Sequence, residues 1–322
     1  MLRRGATVLA LTMGDAAGVG PEVLVKALGH TVPRVKNAVF LVVGDPARLR
    51  KVQRRLEVRL HERRVRLREL PGVFHRWETS IFVLREAADM GAHECVEMAV
   101  GLIERGVAHA LVTMPARKRA SAAGAVGHTE LLSRLTKTDG VGMLLLHGRL
   151  RVMPLTLHVP LRSVPGALTV DGVCEAVRLL DEGLRGCFDF VSPRIGVAAL
   201  NPHAGEGGLV GEEEREVLAP AVSRLQAENI RVTGPEDCHL LVRAMVRGRL
   251  DAALTLYHDQ ALMPFKLLCG NRGTNLTLGL PFVRTSPLHG TADDIAGAGV
   301  ADHRGAMDAI ATALALARRA RG

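Results

Sequence analysis

The feature that most constrains the fold is a repeated pattern in which a short, continuous apolar run ends at a polar, glycine-containing loop and a helical pattern follows. Continuous rather than alternating hydrophobicity predicts strands that are covered on both faces. Strands alternating with helices favour a largely parallel sheet. The predicted strands are Thr7–Thr12, Val39–Val43, Ala108–Thr113, Val152–Leu157, Ile195–Leu200 and Ala252–Leu256. The predicted helices are Pro21–Leu28, Ala92–Arg105, Gly172–Leu184, Glu213–Glu228 and Asp302–Arg319.

The length of 322 residues predicts two lobes or one large α/β unit, because single cores stop growing near ~250–300 residues. A content of 48% hydrophobic and 23% charged residues is typical of a soluble globular chain and excludes wholesale disorder. No apolar run approaches the ~18 residues of a membrane helix. Alanine, glycine and serine crowd together at Ala120–Val126, which is the predicted lobe boundary.

The cysteines favour an intracellular, cytoplasmic protein. The five residues are odd in number, widely spaced and without a Cys-x-x-Cys pair, which argues against a disulfide framework and a thiolate zinc site. The apolar stretch that follows Arg3 and Arg4 resembles a signal peptide. The same stretch also fits a first buried strand, which is the interpretation that agrees with the cysteines.

Most of the net charge of +9 lies in one segment. Between Arg48 and Glu69 there are ten Lys/Arg and three Glu, or +7. A solvated helix or edge strand is the favoured interpretation, and a nucleic-acid surface is the alternative. Aromatic residues make up only 3% of the chain and leave few platforms on which bases could stack. We therefore expect no nucleic-acid partner.

Three histidines directly follow predicted strands. His158 comes after Leu157, His203 lies in Asn201-Pro202-His203-Ala204-Gly205-Glu206, and His258 lies in Tyr257-His258-Asp259-Gln260. Ligands of open parallel sheets collect at the carboxyl ends of strands, where a catalytic metal typically takes three protein ligands. A histidine in such a loop is also commonly a hydrogen-bonded turn residue, and no His-x-x-x-His spacing links these three.

A second group of residues suits an anion. Gly127-His128-Thr129-Glu130 fits a helix start, whose free N–H groups favour anions, or an ordinary capping box with Thr129 as the cap. Lys266, Asn275 and Arg284 suit a phosphate or carboxylate, although each is individually typical of a plain surface residue.

Several of these motifs resemble the 4-hydroxythreonine-4-phosphate dehydrogenases. The resemblance rests on Gly127–Glu130, Asn201–Glu206, Tyr257–Gln260, Asn275–Ser286 and Thr113-x-Pro115-x-x-Lys118, which follow the order of the family. It covers the chain from Met13 to Asp302. The two motifs nearest the ends widen it to the isopropylmalate and isocitrate dehydrogenase superfamily: Gly14-Asp15…Gly18-Val19-Gly20-Pro21-Glu22-Val23 and His289–Gly297. The first fails the usual dinucleotide fingerprint, because Val23 stands at the third glycine.

The resemblance implies a two-lobed α/β/α fold with mostly parallel sheets. The first, discontinuous lobe would contain residues 1–126 plus about 281–322 and the dinucleotide, and the second residues about 127–280. It also implies a homodimer with shared active sites, in which His258 reaches the site of the neighbouring subunit. The implied metal ligands are His158, His203 and His258. The implied substrate-binding residues are His128, Thr129, Lys266, Asn275 and Arg284. The implied dinucleotide-binding residues are His289, Gly290, Thr291, Ala292 and Asp294.

The activity implied by the family is NAD-dependent oxidation of the carbon-3 hydroxyl of 4-phosphooxy-L-threonine, followed by decarboxylation to 3-amino-2-oxopropyl phosphate for pyridoxal phosphate synthesis. NADP is an alternative cofactor, and zinc, magnesium and cobalt are candidate metals. Asp259 and Lys118 are candidate proton carriers. Relatives oxidise 4-phospho-erythronate, 4-phospho-threonate or a terephthalate dihydrodiol. The intact Gly-His-Thr-Glu and Leu-Pro-Phe-x-Arg-Thr segments favour a phosphorylated substrate.

Two positions depart from the family pattern. Ala16 replaces a proline in the first loop, and His239 stands where the family has an aspartate. The second change puts the electrostatics of the site and the exact substrate in question.

Overall fold

The structure is a computed structural model that describes residues 6–70, 79–117, 119–121 and 124–321. The chain has a mixed α/β fold with mostly parallel strands, which confirms the predicted fold class. Contacts between Cα atoms define two compact units. One contains Met1–Asp139, Asn271–Asn275 and Leu280–Gly322, and the other contains Gly140–Gly270 and Leu276–Gly279. The predicted lobes, with boundaries at 126 and about 281, stay a prediction.

The strands are β1 Thr7–Thr12, β2 Ala38–Val43, β3 Glu62–Val65, β4 Thr79–Leu84, β5 Ala110–Thr113, β6 Arg119–Ser121, β7 Gly124–Val126, β8 Gly142–His147, β9 Leu150–Pro154, β10 Ile195–Ala198, β11 Val232–Glu236, β12 Ala252–Thr255, β13 Thr274–Leu278 and β14 Val283–Pro287. The helices are α1 Gly20–Thr31, α2 Pro46–Leu56, α3 Ala92–Glu104, α4 His128–Thr136, α5 Val164–Ala167, α6 Val170–Phe188, α7 Ala219–Ala227, α8 Cys238–Val246, α9 His258–Cys269 and α10 Arg304–Arg319. A π-helical turn, Glu214–Leu218, runs directly into α7.

The first unit has six parallel strands in the order β14-β5-β1-β2-β4-β3. Successive residues of β1 enter two different cores. Leu9 and Leu11 pack with residues of α1 and α10, whereas Val8 and Ala10 pack with residues of α3. Both faces of the strand are therefore covered, which explains the continuous apolar run and confirms the strand interpretation of this stretch.

The second unit has five strands in the order β11-β10-β12-β9-β8. Strands β11, β10, β12 and β9 are parallel neighbours, and β8 pairs with β9 as an antiparallel hairpin. The carboxyl ends of β10, β12 and β9 consequently lie side by side at one edge of the sheet.

The six apolar runs all contain strands, and the five helical patterns all contain helices. Among the described residues, no helix combines the length and the apolar character needed to span a bilayer.

Candidate functional site

The three predicted metal-ligand histidines follow the carboxyl ends of adjacent strands in the second unit. His158 comes after β9, His203 after β10, and His258 is the first residue of α9, after β12. The chain that follows β9 continues to pair with β12 beyond the end of β9, because Leu155 N–H donates to Thr255 O at 2.7 Å. This pairing brings the rings of His158 and His258 together, with centroids 6.0 Å apart and planes tilted by 41°.

The ring of His258 has one nitrogen engaged within the chain. Its Nδ1 lies 2.8 Å from Oδ1 of the exposed Asp259, so that Nε2 is the nitrogen left for another ligand. A carboxylate on one imidazole nitrogen orients metal-binding histidines in many proteins. The loop before the helix is fixed by Gln260, whose side chain accepts from Leu256 N–H at 2.7 Å and donates to Ala199 O at 2.7 Å.

His203 lies in a turn whose backbone is left-handed over several consecutive residues, from His203 to Gly207. Non-glycine residues in this region cost of order 1–2 kcal/mol each, so the surrounding structure must hold the turn. Buried Glu214 does so by accepting hydrogen bonds from Leu200 N–H and Asn201 N–H, both at 2.8 Å. Strain of this kind clusters at functional sites, which makes the turn a candidate ligand-binding element.

The structure brings together two of the three histidines. The side chain of His203 is 72% exposed, and its Nδ1 lies 4.0 Å from Oδ2 of Asp237. Within the described parts of the chain, no group of three or more histidine, cysteine, aspartate or glutamate side chains is placed to hold a metal ion. Two imidazoles that bind one zinc at ~2.0–2.1 Å have ring centres roughly 5–6 Å apart, so the pair His158–His258 fits a shared ion.

Arg284, one of the predicted anion-binding residues of the first unit, is a buried charged side chain. Arg284 of β14 is 4% exposed, and its Nη2 donates to the hydroxyl of Thr113 in β5 at 2.7 Å. Burial lowers the pKa of Arg284 to about 10, and the carboxylate of Glu130 acts in the opposite direction. A guanidinium in such surroundings stays charged at neutral pH and is suited to binding an anion.

His128 lies beside this arginine. It begins α4, and the carboxylate of Glu130 accepts from Gly127 N–H at 2.9 Å, so the capping interaction is made at Gly127 and not at Thr129. Burial, then Arg284, then His93 lower the pKa of His128 to about 3, which keeps the ring neutral. Its buried Nε2 has no hydrogen-bond partner among the described residues. Such an orphaned atom calls for an explanation, and a bound ligand is one.

The other predicted substrate residues are distributed over both units. Thr129 follows His128 in the first turn of α4. Asn275 in β13 is 9% exposed, and within the described part of the chain its buried Oδ1 lacks a hydrogen-bond partner. Lys266 belongs to α9 of the second unit, where burial lowers its pKa and Cys269 opposes that shift. The predicted proton carrier Lys118 lies outside the described residues.

The two segments that resemble the wider superfamily lie in contact within the first unit. Val19 N–H donates to Thr291 O at 2.9 Å. At Gly18 an added Cβ would be 3.0 Å from Thr291 Cβ, so the loop approaches closely. Arg117 extends this contact, with Nη2 2.9 Å from Oδ2 of Asp293. Among the predicted dinucleotide residues, Thr291 therefore lies against the glycine loop. The others are His289, Gly290, Ala292 and Asp294.

Sequence reasoning missed several residues that complete these groups. Thr113 was recognised only as part of a motif, and its contact with Arg284 links residues that are 171 positions apart. His93 was not singled out, yet its ring lies edge-on to that of His128, with centroids 5.6 Å apart. Asp237, two residues before the unusual His239, is the carboxylate nearest to His203. For Asp237, its position two residues before the departure at His239 is the sequence feature that could have identified it.

These features define a class: a mostly parallel α/β protein with a histidine pair at its strand ends and a buried arginine beside a neutral histidine. Residues 36–313 match the family described as "Pyridoxal phosphate biosynthetic protein PdxA". The chain belongs to this family, which confirms the resemblance seen in its motifs.

Individual relatives cover nearly the whole chain. The 4-hydroxythreonine-4-phosphate dehydrogenase of Ruegeria sp. strain TM1040 is 39% identical over 319 residues, or 97% of both chains. The D-threonate 4-phosphate dehydrogenase of Salmonella typhimurium is 36% identical, covering 96% of this chain and 98% of the relative. A crystal structure of 4-hydroxythreonine-4-phosphate dehydrogenase from Klebsiella pneumoniae has a TM-score of 0.83 at 32% identity and covers 97% of this chain and 100% of its own.

Proposed function

We propose that this chain oxidises the carbon-3 hydroxyl of 4-phosphooxy-L-threonine with NAD and that the resulting β-keto acid loses carbon dioxide, which gives 3-amino-2-oxopropyl phosphate. Membership of the family and the 39% identity to a named 4-hydroxythreonine-4-phosphate dehydrogenase support this substrate. The hydride leaves carbon 3 for the nicotinamide, and the hydroxyl proton leaves to a base. Loss of carbon dioxide then leaves an enolate, which a proton donor quenches.

The observation that carries the proposal is the buried guanidinium of Arg284 beside the neutral ring of His128. Arg284 is almost fully buried, and the carboxylate of Glu130 raises its pKa against the effect of burial. Removing a cation from water is costly, and anions and hydrogen bonds compensate for that cost. A phosphate bound by Arg284 would strengthen this compensation, with His128 Nε2 and Asn275 Oδ1 as further polar groups for the substrate. Thr129 and Lys266 complete the proposed substrate set.

The proposed metal ligands are His158, His203 and His258. The 6.0 Å separation between the rings of His158 and His258 supports these two as ligands, and the strained turn that carries His203 supports it as the third. A divalent ion would supply Lewis acidity, which lowers the pKa of a bound oxygen by up to about 9 units in the case of water. Zinc fits the imidazole donors best, with magnesium or cobalt as alternatives.

The chain's own residues then hold and move the remaining protons. Asp259 fixes the ring of His258 and is the candidate proton carrier, together with Lys118. The segment from His289 to Asp294 is proposed to bind the dinucleotide, with Ala292 in a left-handed conformation that leaves its turn tight. NAD is the proposed dinucleotide, with NADP as the alternative.

We further propose that the protein is a homodimer. Exposed apolar side chains stand close in sequence to each predicted metal ligand: Leu161 is 68% exposed, Leu209 85%, Met263 63% and Leu267 82%. A second copy that covers them would supply a further ligand from its own chain, which fits the absence of a three-ligand group in the described part of one chain. None of the five cysteines forms a disulfide, which supports a reducing, cytoplasmic location.

A second candidate substrate is 4-phospho-threonate or 4-phospho-erythronate, favoured by the 36% identity to a D-threonate 4-phosphate dehydrogenase. The buried guanidinium of Arg284 would bind any 4-phosphorylated acid, so the two candidates differ elsewhere. A dihydrodiol lacks the phosphate that this guanidinium is proposed to bind, which makes it the least favoured substrate.

The deciding experiment compares kcat/KM for the phosphorylated hydroxy acids and the dihydrodiol with NAD and with NADP, while carbon dioxide release is measured in parallel. We expect the highest value for 4-phosphooxy-L-threonine and one carbon dioxide for each NADH. A higher value for 4-phospho-threonate would replace the first substrate by the second. Turnover of the dihydrodiol alone would overturn the anion-site argument.

A further inference from the structure

The segment that follows the proposed dinucleotide residues has no regular partner strand. Residues 295–301 belong to neither a helix nor a strand, and Gly297 and Gly299 have φ of +86° and +78°. Backbone N–H and C=O groups that are removed from water need hydrogen-bond partners. The irregular backbone of residues 295–301 provides few such partners within the segment itself. Side chains from elsewhere must therefore fix it.

Two residues of α1 supply those partners. The carboxylate of Glu22 accepts from Gly299 N–H at 3.1 Å and from Ala301 N–H at 2.8 Å. The ammonium of Lys26 donates to Gly299 O at 2.7 Å and to Ala301 O at 3.0 Å. One side-chain pair thus engages both backbone polar groups of both residues, much as a neighbouring strand would.

The spacing and burial of Glu22 and Lys26 suit this contact with the backbone. Glu22 and Lys26 are four positions apart on one helix face, and Lys26 Nζ donates to Glu22 Oε1 at 2.8 Å. The side chain of Glu22 is 2% exposed and that of Lys26 17%. A charge pair with this degree of burial stabilises a protein only when its remaining hydrogen-bonding capacity is satisfied. Here the backbone at Gly299 and Ala301 satisfies it.

Helix α1 also holds the other end of the segment. The hydrogen bond from Val19 N–H to Thr291 O comes one residue before the helix begins. Arg55 adds a third contact, because its Nη2 lies 3.9 Å from Glu22 Oε2 and its Nη1 would be 2.8 Å from a Cβ added at Gly297. The proposed dinucleotide segment is therefore held by α1 at residue 291, and the chain that follows it is held by α1 at residues 299–301.

We propose that Glu22 and Lys26 are positioning residues for dinucleotide binding, a role that rests on the proposed function of the segment 289–294. They would act through the backbone at Gly299 and Ala301, with no contact to substrate or to the reacting atoms. Loosening that backbone makes the dinucleotide spend binding energy on ordering the segment. The affinity for NAD should consequently fall, while the chemical step and the affinity for the phosphorylated substrate should not.

The test uses Glu22→Gln and Lys26→Met in the full chain. Gln retains one acceptor and loses the charge, whereas Met retains the volume and loses all three donors. We expect the Kd and KM for NAD to rise about 10-fold, with kcat and the substrate KM within about twofold of wild type. Hydrogen exchange at the amides of 299 and 301 should accelerate. Lys26→Arg, which keeps the charge and the donors, should recover most of the affinity.

The matched control is Asp181→Asn. Asp181 is another buried carboxylate in an i,i+4 pair, with Oδ2 2.7 Å from Nε of Arg185 in α6. This variant should lose thermal stability and leave the KM for NAD unchanged. If one of the two variants, Glu22→Gln or Lys26→Met, fails to fold, the other carries the comparison.

The outcomes separate the two claims. Wild type that binds neither NAD nor NADP in calorimetry would refute the proposed cofactor, and the positioning role with it. Wild type that binds NAD, together with variants that exchange faster at 299 and 301 but bind NAD normally, would overturn the positioning role alone. A lower kcat together with equal rises in the KM values for NAD and for the substrate would show that the Glu22–Lys26 pair is merely structural. That outcome would also overturn the positioning role.

Discussion

The guanidinium of Arg284 donates to the hydroxyl of Thr113 at 2.7 Å across two adjacent parallel strands, β14 and β5. Thr113 is fully buried, and Arg284 is 4% exposed. The threonine fixes the orientation of the guanidinium, so that its other N–H groups are presented in a defined direction. The pair is thus a rigid half of the proposed phosphate site.

The first prediction concerns the planar guanidinium group of Arg284. Arg284→Lys keeps the charge and loses the planar fork that binds phosphate oxygens in pairs, so the KM for the phosphorylated substrate should rise about 10- to 100-fold. Steady-state kinetics checks this, with Arg178→Lys in α6 as the control, since Arg178 is also ion-paired, to Glu228 at 2.7 Å. An unchanged KM in Arg284→Lys would remove Arg284 from the substrate site.

Thr113→Val tests the orienting role. The nearly isosteric change removes the hydroxyl that accepts from Arg284 and leaves a buried donor unpaired, at a cost of about 1–3 kcal/mol in unfolding free energy. We expect a smaller rise in substrate KM than in Arg284→Lys, together with a lower Tm by calorimetry. A variant as stable and as active as wild type would show that the hydrogen bond orients nothing.

The protonation state of His128 gives an independent prediction. Its pKa of about 3 means that the ring is neutral from pH about 4 upwards, so it contributes no charge to substrate binding and no limb to the pH–rate profile near neutrality. NMR titration of the ring should show no protonation step between pH about 5 and 8. His128→Asn should keep the shape of the profile while the substrate KM rises. A titration step near 6.5 would contradict this assignment.

The sequence predicted best the strands that are buried on both faces. Thr7–Thr12 has the same bounds in the sequence pattern and in the structure, because all six of its residues are buried. The segment Arg48–Glu69 was expected to be a solvated helix or edge strand, but the bounds of the edge strand Glu62–Val65 were not predicted, since its sequence, Glu-Arg-Arg-Val, is mostly exposed and lacks an apolar run. Helix His258–Cys269 was also missed, and Pro264 in its interior explains why the helical pattern was interrupted.

Two strands that carry proposed site residues were not predicted, because polar side chains interrupt their apolar pattern. Thr274–Leu278 and Val283–Pro287 are almost wholly buried, yet they contain Asn275 and Arg284 where an ordinary core strand would have aliphatic side chains. Polar residues at buried positions break local rules and mark function. The sequence therefore pointed to both residues as candidates, although the contact of Arg284 with Thr113 depends on which strands are neighbours.

The proposed metal site predicts a dependence on divalent ions. Dialysis against EDTA should abolish NADH formation, and added zinc or another divalent ion should restore it. Asp259→Asn removes the charge that orients His258 and should weaken metal affinity by about 10- to 100-fold, measured by calorimetric metal titration. His61→Asn, an exposed histidine next to β3, is the control and should leave metal affinity unchanged. Full activity in a verified metal-free sample would defeat the metal mechanism.

The final prediction is a loss of stability in acid that originates at His109. Its Nδ1 accepts from Val8 N–H at 2.8 Å, which requires an unprotonated nitrogen. Burial, assisted by Arg321, lowers its pKa from 6.5 to about 4. Between these values the unfolded chain binds more protons than the folded one, so the contribution of His109 is fully present above pH 6.5 and is lost as the pH falls through about 4.

His109→Asn keeps an acceptor for Val8 N–H and cannot be protonated. The unfolding free energy from urea denaturation should therefore fall less steeply between pH about 6.5 and 4 in this variant than in wild type. Because His128 is unchanged in both proteins, the difference in slope isolates His109. His61→Asn should follow the wild-type slope, and identical slopes for all three proteins would show that His109 is not held neutral by the fold.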